Sequence, residues 1–289
     1  MNEHQIDKRW VRASFSRAAP AYDDAAILQK QVGQRMLERL DFIRLQPGVV
    51  LDIGCGTGSG FRALKKRYKK SQVLGMDFAE GMIRQARSHS RLPWQRPLLA
   101  VADIEALPLA PDSIDLLFSN LTLQWCSDLP RVFSGVFNTL RPEGLFFFST
   151  LGPDTLHELR ASWSEVDDHP HVIQFPDMHI AGDALVGAGF ADVVMDVERI
   201  TMTYDSPREA IESLRAIGAV NRDVGRARGL LGPGSWKRML NAYEQFRQED
   251  GQYPVTYEVV FGHALRSRNA SAGPDGVVTV PLSGLWPSK

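Results

Sequence analysis

A glycine-rich turn directly after an apolar segment constrains the fold of this chain most. Residues 49–60 read VVLDIGCGTGSG, so an apolar run is followed by four glycines in seven residues. A continuous apolar run of this length is typical of a strand buried on both faces. Glycines let the backbone turn sharply and approach a neighbour or a ligand closely. The stretch therefore predicts a strand, a tight turn and a helix, with a ligand held at the turn.

Around this turn, short apolar segments alternate with amphipathic ones. Residues 24–40 have helical periodicity, and five strand-like segments with intervening helical ones follow as far as residue 151. Such alternation indicates an α/β protein with a mainly parallel sheet covered by helices on both faces. Later segments are helical, apart from a long strand over 191–204 and a last strand that includes 254–265.

This organisation predicts five consecutive segments. They are an N-terminal helical cap over 1–46, the core over 47–205, a helical lid insertion over 206–250, the final strand of the core over 251–266 and a mobile tail over 267–289. We expect the tail to be mobile because its residues are mostly small and polar.

The spacing of the glycines distinguishes between two kinds of ligand. A dinucleotide fingerprint is G-x-G-x-x-G, but Ser59 stands where its third glycine would be. The lysine of a phosphate-binding P-loop is missing from the stretch as well. Asp52, two residues before Gly54, would repel a pyrophosphate but suits an ammonium group. The turn therefore favours a cofactor with a zwitterionic amino-acid end.

Further polar residues follow the next strands. Asp77 ends the second predicted strand, where a carboxylate can accept hydrogen bonds from both hydroxyls of a ribose. Asp103 ends the third, where its side chain is expected to take an adenine amino group and the backbone of Ile104 a ring nitrogen. Because ligands of open α/β sheets lie at the carboxyl ends of the strands, we expect these residues and Asn120 to share one site.

Together, these motifs resemble those of the class I S-adenosylmethionine-dependent methyltransferases. The matching stretches are LDIGCGTG at 51–58, GMD at 75–77, ADIEALPL at 102–109 and FSNLTLQW at 118–125. The resemblance implies a Rossmann-like, mainly parallel sheet of seven strands whose reversed final strand would be supplied by VTYEVVFGHAL. It also implies S-adenosyl-L-methionine as the cofactor, with S-adenosyl-L-homocysteine as its product.

By this resemblance, the cofactor is held by the cap, the glycine turn and the segments that follow the strands. Tyr22, in the N-terminal helix, is expected to lie over it. The complete set is Tyr22, Asp52, Gly54, Cys55, Gly56, Gly58, Asp77, Phe78, Met82, Asp103, Ile104, Asn120, Leu121, Gln124 and Trp125.

The flanking segments resemble one family in particular, the malonyl-acyl-carrier-protein O-methyltransferases of biotin synthesis. The stretches that carry this resemblance are SFSRAAPAYDDAAILQKQVGQRML, LTLQWCSDL, TLGPDTLHELR, DMHIAGDALVGAGF, MDVERITMTY and TYEVVFGHA. The resemblance implies methylation of the free carboxylate of a malonyl thioester. The ester masks the charge, so that fatty-acid synthesis enzymes elongate the chain as a pimelate precursor.

Three other functions stay open on the sequence alone. The mitochondrial complex I assembly factors with a methyltransferase fold share LQW and stretches similar to DTLHELR and TYE, and a member of that family would bind the cofactor in order to modify or chaperone a protein. A small-molecule methyltransferase would act on a quinone precursor or a free dicarboxylate. A nicotinamide dehydrogenase is the most distant alternative, given Ser59 and Asp52.

Transfer of a methyl group from a sulfonium to a carboxylate depends on alignment and on exclusion of water. The carboxylate is ionised near neutral pH, so no base is needed, whereas water opposes the loss of both charges. This predicts a lid made of the N-terminal helix with Tyr22 and of helices within 206–249. Arg160, His179 and Arg215 are the candidates for holding the acceptor carboxylate, and with Tyr22 they form the predicted catalytic set.

Charge and cysteine content limit the partners and the location. The formal net charge is −1 at pH 7, so no overall field favours nucleic acid or an anionic membrane. The N-terminal segment contains acids and lacks the apolar core of a secretory signal. Cys55 and Cys126 have neither metal-site nor redox-motif spacing. We therefore expect a cytoplasmic protein with no nucleic-acid or membrane partner.

Two other groups of residues carry expectations. Four histidines and an aspartate have metal-ligating side chains, but methyl transfer to a carboxylate needs no metal and we predict none; they are His157, His169, His171, His179 and Asp177. A carrier protein that delivers the thioester is expected to be acidic, and a basic cluster is predicted to dock it by charge complementarity. That cluster comprises Arg222, Arg226, Arg228, Lys237 and Arg238.

Overall fold

One seven-stranded sheet forms the centre of this computed structural model, which describes residues 7–89, 97–216 and 232–267. The strands stand in the order β3-β2-β1-β4-β5-β7-β6. Their bounds are β1 Val49–Ile53, β2 Gln72–Asp77, β3 Leu98–Val101, β4 Ile114–Ser119, β5 Leu140–Leu151, β6 Phe190–Tyr204 and β7 Tyr253–Arg266.

The directions of the strands confirm the predicted topology. Strands β1 to β5 pair in parallel, whereas β7 lies antiparallel between β5 and β6. The carboxyl ends of the parallel strands therefore lie at one edge of the sheet, where ligands of open α/β sheets bind. The reversed strand β7 contains the segment VTYEVVFGHAL, which was expected to supply it.

Helices cover both faces of the sheet because its central strands are apolar on both sides. The run Phe146, Phe147 and Phe148 in β5 alternates between the faces, as the two-residue period of a strand requires. The described α-helices are α1 Lys8–Ala18, α2 Tyr22–Ala25, α3 Ile27–Arg39, α4 Ser59–Arg67, α5 Glu80–Ser88, α6 Leu129–Thr139, α7 His157–Ser164, α8 Met178–Gly187, α9 Pro207–Ala216 and α10 Pro233–Tyr243.

Two local expectations need correction. The helix predicted over 24–40 is divided at Ala26, whose backbone has ψ +53°, so α2 and α3 are separate. Asp103 does not end β3, which stops at Val101; it caps a short 3₁₀ helix by accepting a hydrogen bond from Glu105 N. His179 lies in the first turn of α8, where the side chain of Asp177 caps the helix.

In the segment predicted as the cap, α3 contacts β5; in the segment predicted as the lid insertion, α9 contacts β6 and β7. The cap contains α1 to α3, and the described part of the insertion contains α9 and α10. The insertion's residues 217–231 and the tail from residue 268 lie outside the described residues. Among those that are described, the helices are too short or too polar to cross a bilayer.

Candidate functional site

The glycine turn joins β1 to α4 with three residues in left-handed conformations. Gly54, Gly56 and Gly58 have φ values of +73°, +53° and +85°. A Cβ on Gly54 would lie 1.9 Å from Thr122 Oγ1, so this glycine is required by close packing against the β4 loop. A Cβ on Gly56 would meet no atom closer than 3.9 Å, because that side of the turn is open to a cavity. The turn therefore leaves a backbone cradle that a ligand can occupy.

Asp77 stands at the end of β2 and faces this turn. Its Oδ2 accepts from Gly56 N at 2.9 Å and its Oδ1 accepts from Ala79 N at 2.8 Å. Burial raises the pKa of Asp77 to about 6, although the two backbone hydrogen bonds lower it. Asp77 thus fixes the turn and places a carboxylate on the cavity wall, as the sequence predicted.

Asp52 lies beneath the turn and does not line the cavity. Burial, with a further contribution from the charge of Asp77, raises the pKa of Asp52 to about 7, while the backbone N–H of Phe61 lowers it. Its Oδ2 is buried without a hydrogen-bond partner among the described residues. A buried, unpartnered carboxylate oxygen next to the glycine turn fits the prediction of a nearby cationic group. The carboxylate was expected at the turn itself, but it lies behind the turn and not on the cavity wall.

A cavity of about 410 Å³ runs from the glycine turn to α9 and α10. Eleven of the predicted residues line it: Tyr22, Gly54, Gly56, Asp77, Phe78, Met82, Asn120, Leu121, Gln124, Trp125 and Arg215. Asp103 and Ile104 line a smaller cavity of about 20 Å³, which Gly54, Phe78 and Trp125 also border. The structure thus brings most of the predicted cofactor residues together at the carboxyl edge of the sheet.

The cap closes this end of the cavity. Phe15 of α1 packs edge to face on Tyr22, Phe78 and Trp125, with ring centroids 5.3 to 6.3 Å apart. Asp23 accepts from Thr57 Oγ1 at 2.5 Å, which ties α2 to the glycine turn. These contacts place Tyr22 over the turn, and its role in covering the cofactor stays a prediction.

Lys8, at the start of α1, is a functional candidate that the sequence analysis missed. Its Nζ lies 2.7 Å from Asp103 Oδ2 and 2.8 Å from Glu105 Oε2. Burial lowers the pKa of Lys8, but hydrogen bonds to the two carboxylates outweigh this effect and the net shift is upward. Lys8 therefore fastens the cap to the segment that was predicted to hold an adenine ring.

Two of the three acceptor candidates do not reach the cavity. The guanidinium of Arg160 donates to the carbonyls of Pro153 and Thr155, and burial lowers its pKa. His179 is exposed on α8. Arg215 does line the cavity, from the exposed side of α9. Of the remaining predicted residues, Cys55 and Gly58 pack behind the turn and line neither cavity.

The far end of the cavity is apolar and aromatic. His171 lines it together with Leu28, Leu151, Leu156, Leu159, Trp163, Val172, Ile173, Phe175, Ile211, Leu214, Trp236 and Tyr257. Among the described residues, groups of histidine, cysteine and carboxylate that could hold a metal ion are absent. The arrangement therefore joins a polar cradle to an apolar chamber with few charges.

Comparison with known proteins identifies the chain. A family described as "Methyltransferase domain" matches residues 51–148. A malonyl-[acyl-carrier protein] O-methyltransferase from Gallionella capsiferriformans (strain ES-2) is 51% identical over 272 residues, which are 92% of this chain and 93% of that protein. The enzyme of the same name from Laribacter hongkongensis (strain HLHK9) is 50% identical over 90% of both chains. This chain belongs to the malonyl-[acyl-carrier protein] O-methyltransferase family.

Solved structures show the same fold at much lower identity. YcgJ protein from Bacillus subtilis has a TM-score of 0.56 at 15% identity, over 81% of this chain and 98% of that one. Haemonchus contortus phosphoethanolamine N-methyltransferase 2, solved with S-adenosyl-L-methionine, has a TM-score of 0.50 at 19% identity, over 81% of this chain and 53% of that one. This malonyl-[acyl-carrier protein] O-methyltransferase family member therefore has the class I methyltransferase fold.

The raised pKa values predict that cofactor affinity of this family member depends on pH. If the ionised form of Asp77 accepts hydrogen bonds from the ligand, affinity for S-adenosylhomocysteine should be constant above pH 7. Below its pKa of about 6, affinity should fall by about tenfold per pH unit, with protons released on binding near pH 6. Calorimetry from pH 5 to 8, in two buffers with different ionisation enthalpies, measures both quantities.

Asp52 and Asp77 should affect the free energy of unfolding of the unliganded protein in the opposite direction, so that it decreases as the pH rises. Because the pKa of both Asp52 and Asp77 is raised on folding, the native state binds more protons than the unfolded chain between about pH 4 and 7. Their contribution to stability therefore decreases as the pH rises through this interval. For binding, an affinity for S-adenosylhomocysteine that is the same at pH 5 as above pH 7 would contradict the assignment of Asp77 as a hydrogen-bond acceptor for the ligand.

Proposed function

We propose that this protein transfers the methyl group of S-adenosylmethionine to the free carboxylate of malonyl-acyl-carrier protein, giving the methyl ester that primes pimeloyl synthesis for biotin. The observation that carries the proposal is one cavity that joins an acid-bordered glycine cradle to an apolar chamber with Arg215 at its mouth. The relatives that match nearly the full chain are named for this acceptor.

The residues around the cradle fit the cofactor. Asp77 offers a carboxylate for ribose hydroxyls, Gly56 leaves backbone space, and the buried oxygen of Asp52 gives negative potential beneath the turn. Phe78 and Ile104 offer apolar and backbone contacts for an adenine ring at the smaller cavity. When bound, the cofactor supplies an electrophilic methyl group.

The chamber performs the remaining work by orientation and by exclusion of water. The cap covers the cradle through Phe15 and Tyr22, and α9 and α10 cover the far end through Leu214 and Trp236. A carboxylate acceptor arrives ionised, so none of these residues has to remove a proton. An apolar wall raises the energy of the charged sulfonium and carboxylate relative to the neutral products. Side chains that hold both reactants in place also reduce the entropy lost when the carboxylate aligns with the methyl group.

The carrier is proposed to dock beside the mouth of the chamber. Lys237 and Arg238 are exposed on α10, one and two residues after Trp236, which lines the cavity. The other members of the predicted basic cluster, Arg222, Arg226 and Arg228, lie outside the described residues. We also assign the protein to the cytoplasm; its two cysteines are unpaired, which suits a reducing compartment.

Incubation with methyl-labelled S-adenosylmethionine and malonyl-carrier protein tests the proposal. We expect mass detection of the carrier-bound methyl ester and stoichiometric release of S-adenosylhomocysteine. Malonyl-coenzyme A, free malonate and a quinone precursor serve as rival acceptors. Faster turnover of a rival would assign a small-molecule acceptor, and cofactor binding without S-adenosylhomocysteine release would indicate an assembly factor; either result contradicts the proposal.

Reversing the charge of the α10 pair tests the docking surface. Lys237→Glu with Arg238→Glu should lower kcat/KM for malonyl-carrier protein by about tenfold at low salt, because rim charges mainly affect association. Turnover of malonyl-pantetheine, which has no carrier, should stay within about twofold. Lys65→Glu with Lys66→Glu, an exposed pair on α4, is the matched control. Equal effects of the two pairs on the carrier-linked substrate would argue against docking at α10.

A further inference from the structure

One wall of the chamber pairs two aromatic rings with two basic groups. The imidazole of His171 stacks on the indole of Trp163, with centroids 3.8 Å apart and planes 10° from parallel. Trp163 lies 6.3 Å from Trp236, over which Arg215 is placed at 5.5 Å. All four side chains line the cavity. Of the described residues that line it, only His171 and Arg215 can carry positive charge.

The two basic groups differ in exposure. Arg215 is exposed at the mouth, whereas the side chain of His171 is only 10% exposed. The Nε2 of His171 lies 2.8 Å from Asp167 Oδ1, and its Nδ1 has no hydrogen bond to a described residue. The imidazole is thus held by a stacking partner and a carboxylate, with one ring nitrogen left for a ligand.

Asp167 is placed to act as an acceptor for the ring. Partial burial raises its pKa, but hydrogen bonds from His169 N and the His171 ring outweigh that effect and the net shift is downward. Asp167 is therefore ionised at neutral pH, so Nε2 carries a hydrogen and donates to it. The ring orientation is consequently fixed by its stacking on Trp163 and by its hydrogen bond to Asp167.

We infer that His171 binds the acceptor carboxylate through Nδ1–H, and that Asp167 is the positioning residue that holds the ring for this contact. The inference rests on the proposed function, because it names the carboxylate of the malonyl thioester as the ligand. A carboxylate that enters an apolar chamber loses water and needs a donor inside it. The His171 ring, held by Asp167 at Nε2, provides that donor at Nδ1, while Arg215 meets the acceptor at the mouth.

Binding of two pantetheine probes tests the inference without catalysis. Calorimetry with S-adenosylhomocysteine present compares malonyl-pantetheine with acetyl-pantetheine, which lacks the carboxylate. We expect wild type to prefer the malonyl probe, and His171→Phe, which keeps an aromatic ring against Trp163, to lose about 10- to 100-fold of that preference. His169→Phe, an exposed position in the same loop, is the matched control and should leave the preference unchanged.

Variants of Asp167 separate positioning from folding. Asp167→Asn retains an oxygen that accepts from Nε2, so it should keep most of the preference, whereas Asp167→Ala should lose about as much as His171→Phe. In turnover of malonyl-carrier protein, His171→Phe should raise KM by about 10-fold or more, with the Kd for S-adenosylhomocysteine within about twofold of wild type. Thermal unfolding of each variant reports whether the fold is intact.

Each outcome decides the inference. Unchanged preference in His171→Phe overturns it, and so does an equal loss of affinity for both probes, which would assign the ring to packing alone. If wild type methylates malonyl-carrier protein while His171→Phe retains the preference, only the inference fails. If wild type neither methylates that acceptor nor prefers the malonyl probe, the proposed function fails and the inference with it.

Discussion

Replacing Asp77 with asparagine is expected to weaken binding of S-adenosylhomocysteine by at least about 100-fold. The carboxylate holds the glycine turn through Gly56 N and Ala79 N and faces the cavity. Charge-assisted hydrogen bonds contribute about 1.5–3 kcal/mol each, and two of them to ribose hydroxyls correspond to this loss or more. Calorimetric titration of the variant and of wild type at pH 7.5 measures the change.

Asparagine at position 77 also turns an amide N–H₂ toward one of the two backbone donors, so a matched control is required. Asp115 Oδ2 accepts from Gly48 N and Val49 N at the opposite edge of the sheet, away from the cavity, and the carboxylate also pairs with Arg141. Asp115→Asn should therefore destabilise the fold to a similar extent, about 1–3 kcal/mol, and leave affinity for S-adenosylhomocysteine unchanged. Affinity of Asp77→Asn within threefold of wild type would remove Asp77 from the cofactor site.

The glycine cradle of the candidate site was predictable because its determinants are local in sequence. The strand, the turn glycines and Asp77 each follow from a short segment and from the rule that strand ends share one edge. The parallel part of the sheet follows from the same alternation of segments, whereas its seven strands and reversed final strand were implied by the family resemblance. The error in the predicted position of Asp52 is small, because the residue was expected at the turn and lies directly beneath it.

The acceptor half was not predictable because its contacts join distant segments. Arg160 looked like a carboxylate ligand, but its guanidinium is used by carbonyls of the loop that precedes α7. Lys8, which contacts the predicted adenine segment of the cofactor half, was missed for the same reason, because it meets Asp103 across a sequence separation of 95 residues. The stacking of His171 on Trp163 depends on how the loop after α7 folds back, which periodicity does not report. Residue type alone could not separate these arginines and histidines from surface ones.

The two glycines that begin the turn are expected to fail in different ways when changed to alanine. Gly54→Ala should lower the free energy of unfolding by about 2–4 kcal/mol, because a left-handed alanine is strained and its Cβ overlaps Thr122. Gly56→Ala should cost only the conformational part, about 1–2 kcal/mol, since its Cβ enters the open cavity. Chemical unfolding of the unliganded variants measures both values.

Cofactor affinity should separate the two variants further. A methyl group on Gly56 occupies the backbone cradle, so affinity for S-adenosylhomocysteine should fall by about 10- to 100-fold in a protein that is still folded. Thr122→Gly removes the atoms that Gly54→Ala would strike, so the double variant should lose less stability than the two single losses combined. Additive losses in this cycle, or tight binding by Gly56→Ala, would show that the turn relaxes around added side chains. The requirement for glycine would then come from backbone conformation alone, and Gly56 would not be assigned to the backbone cradle of the cofactor site.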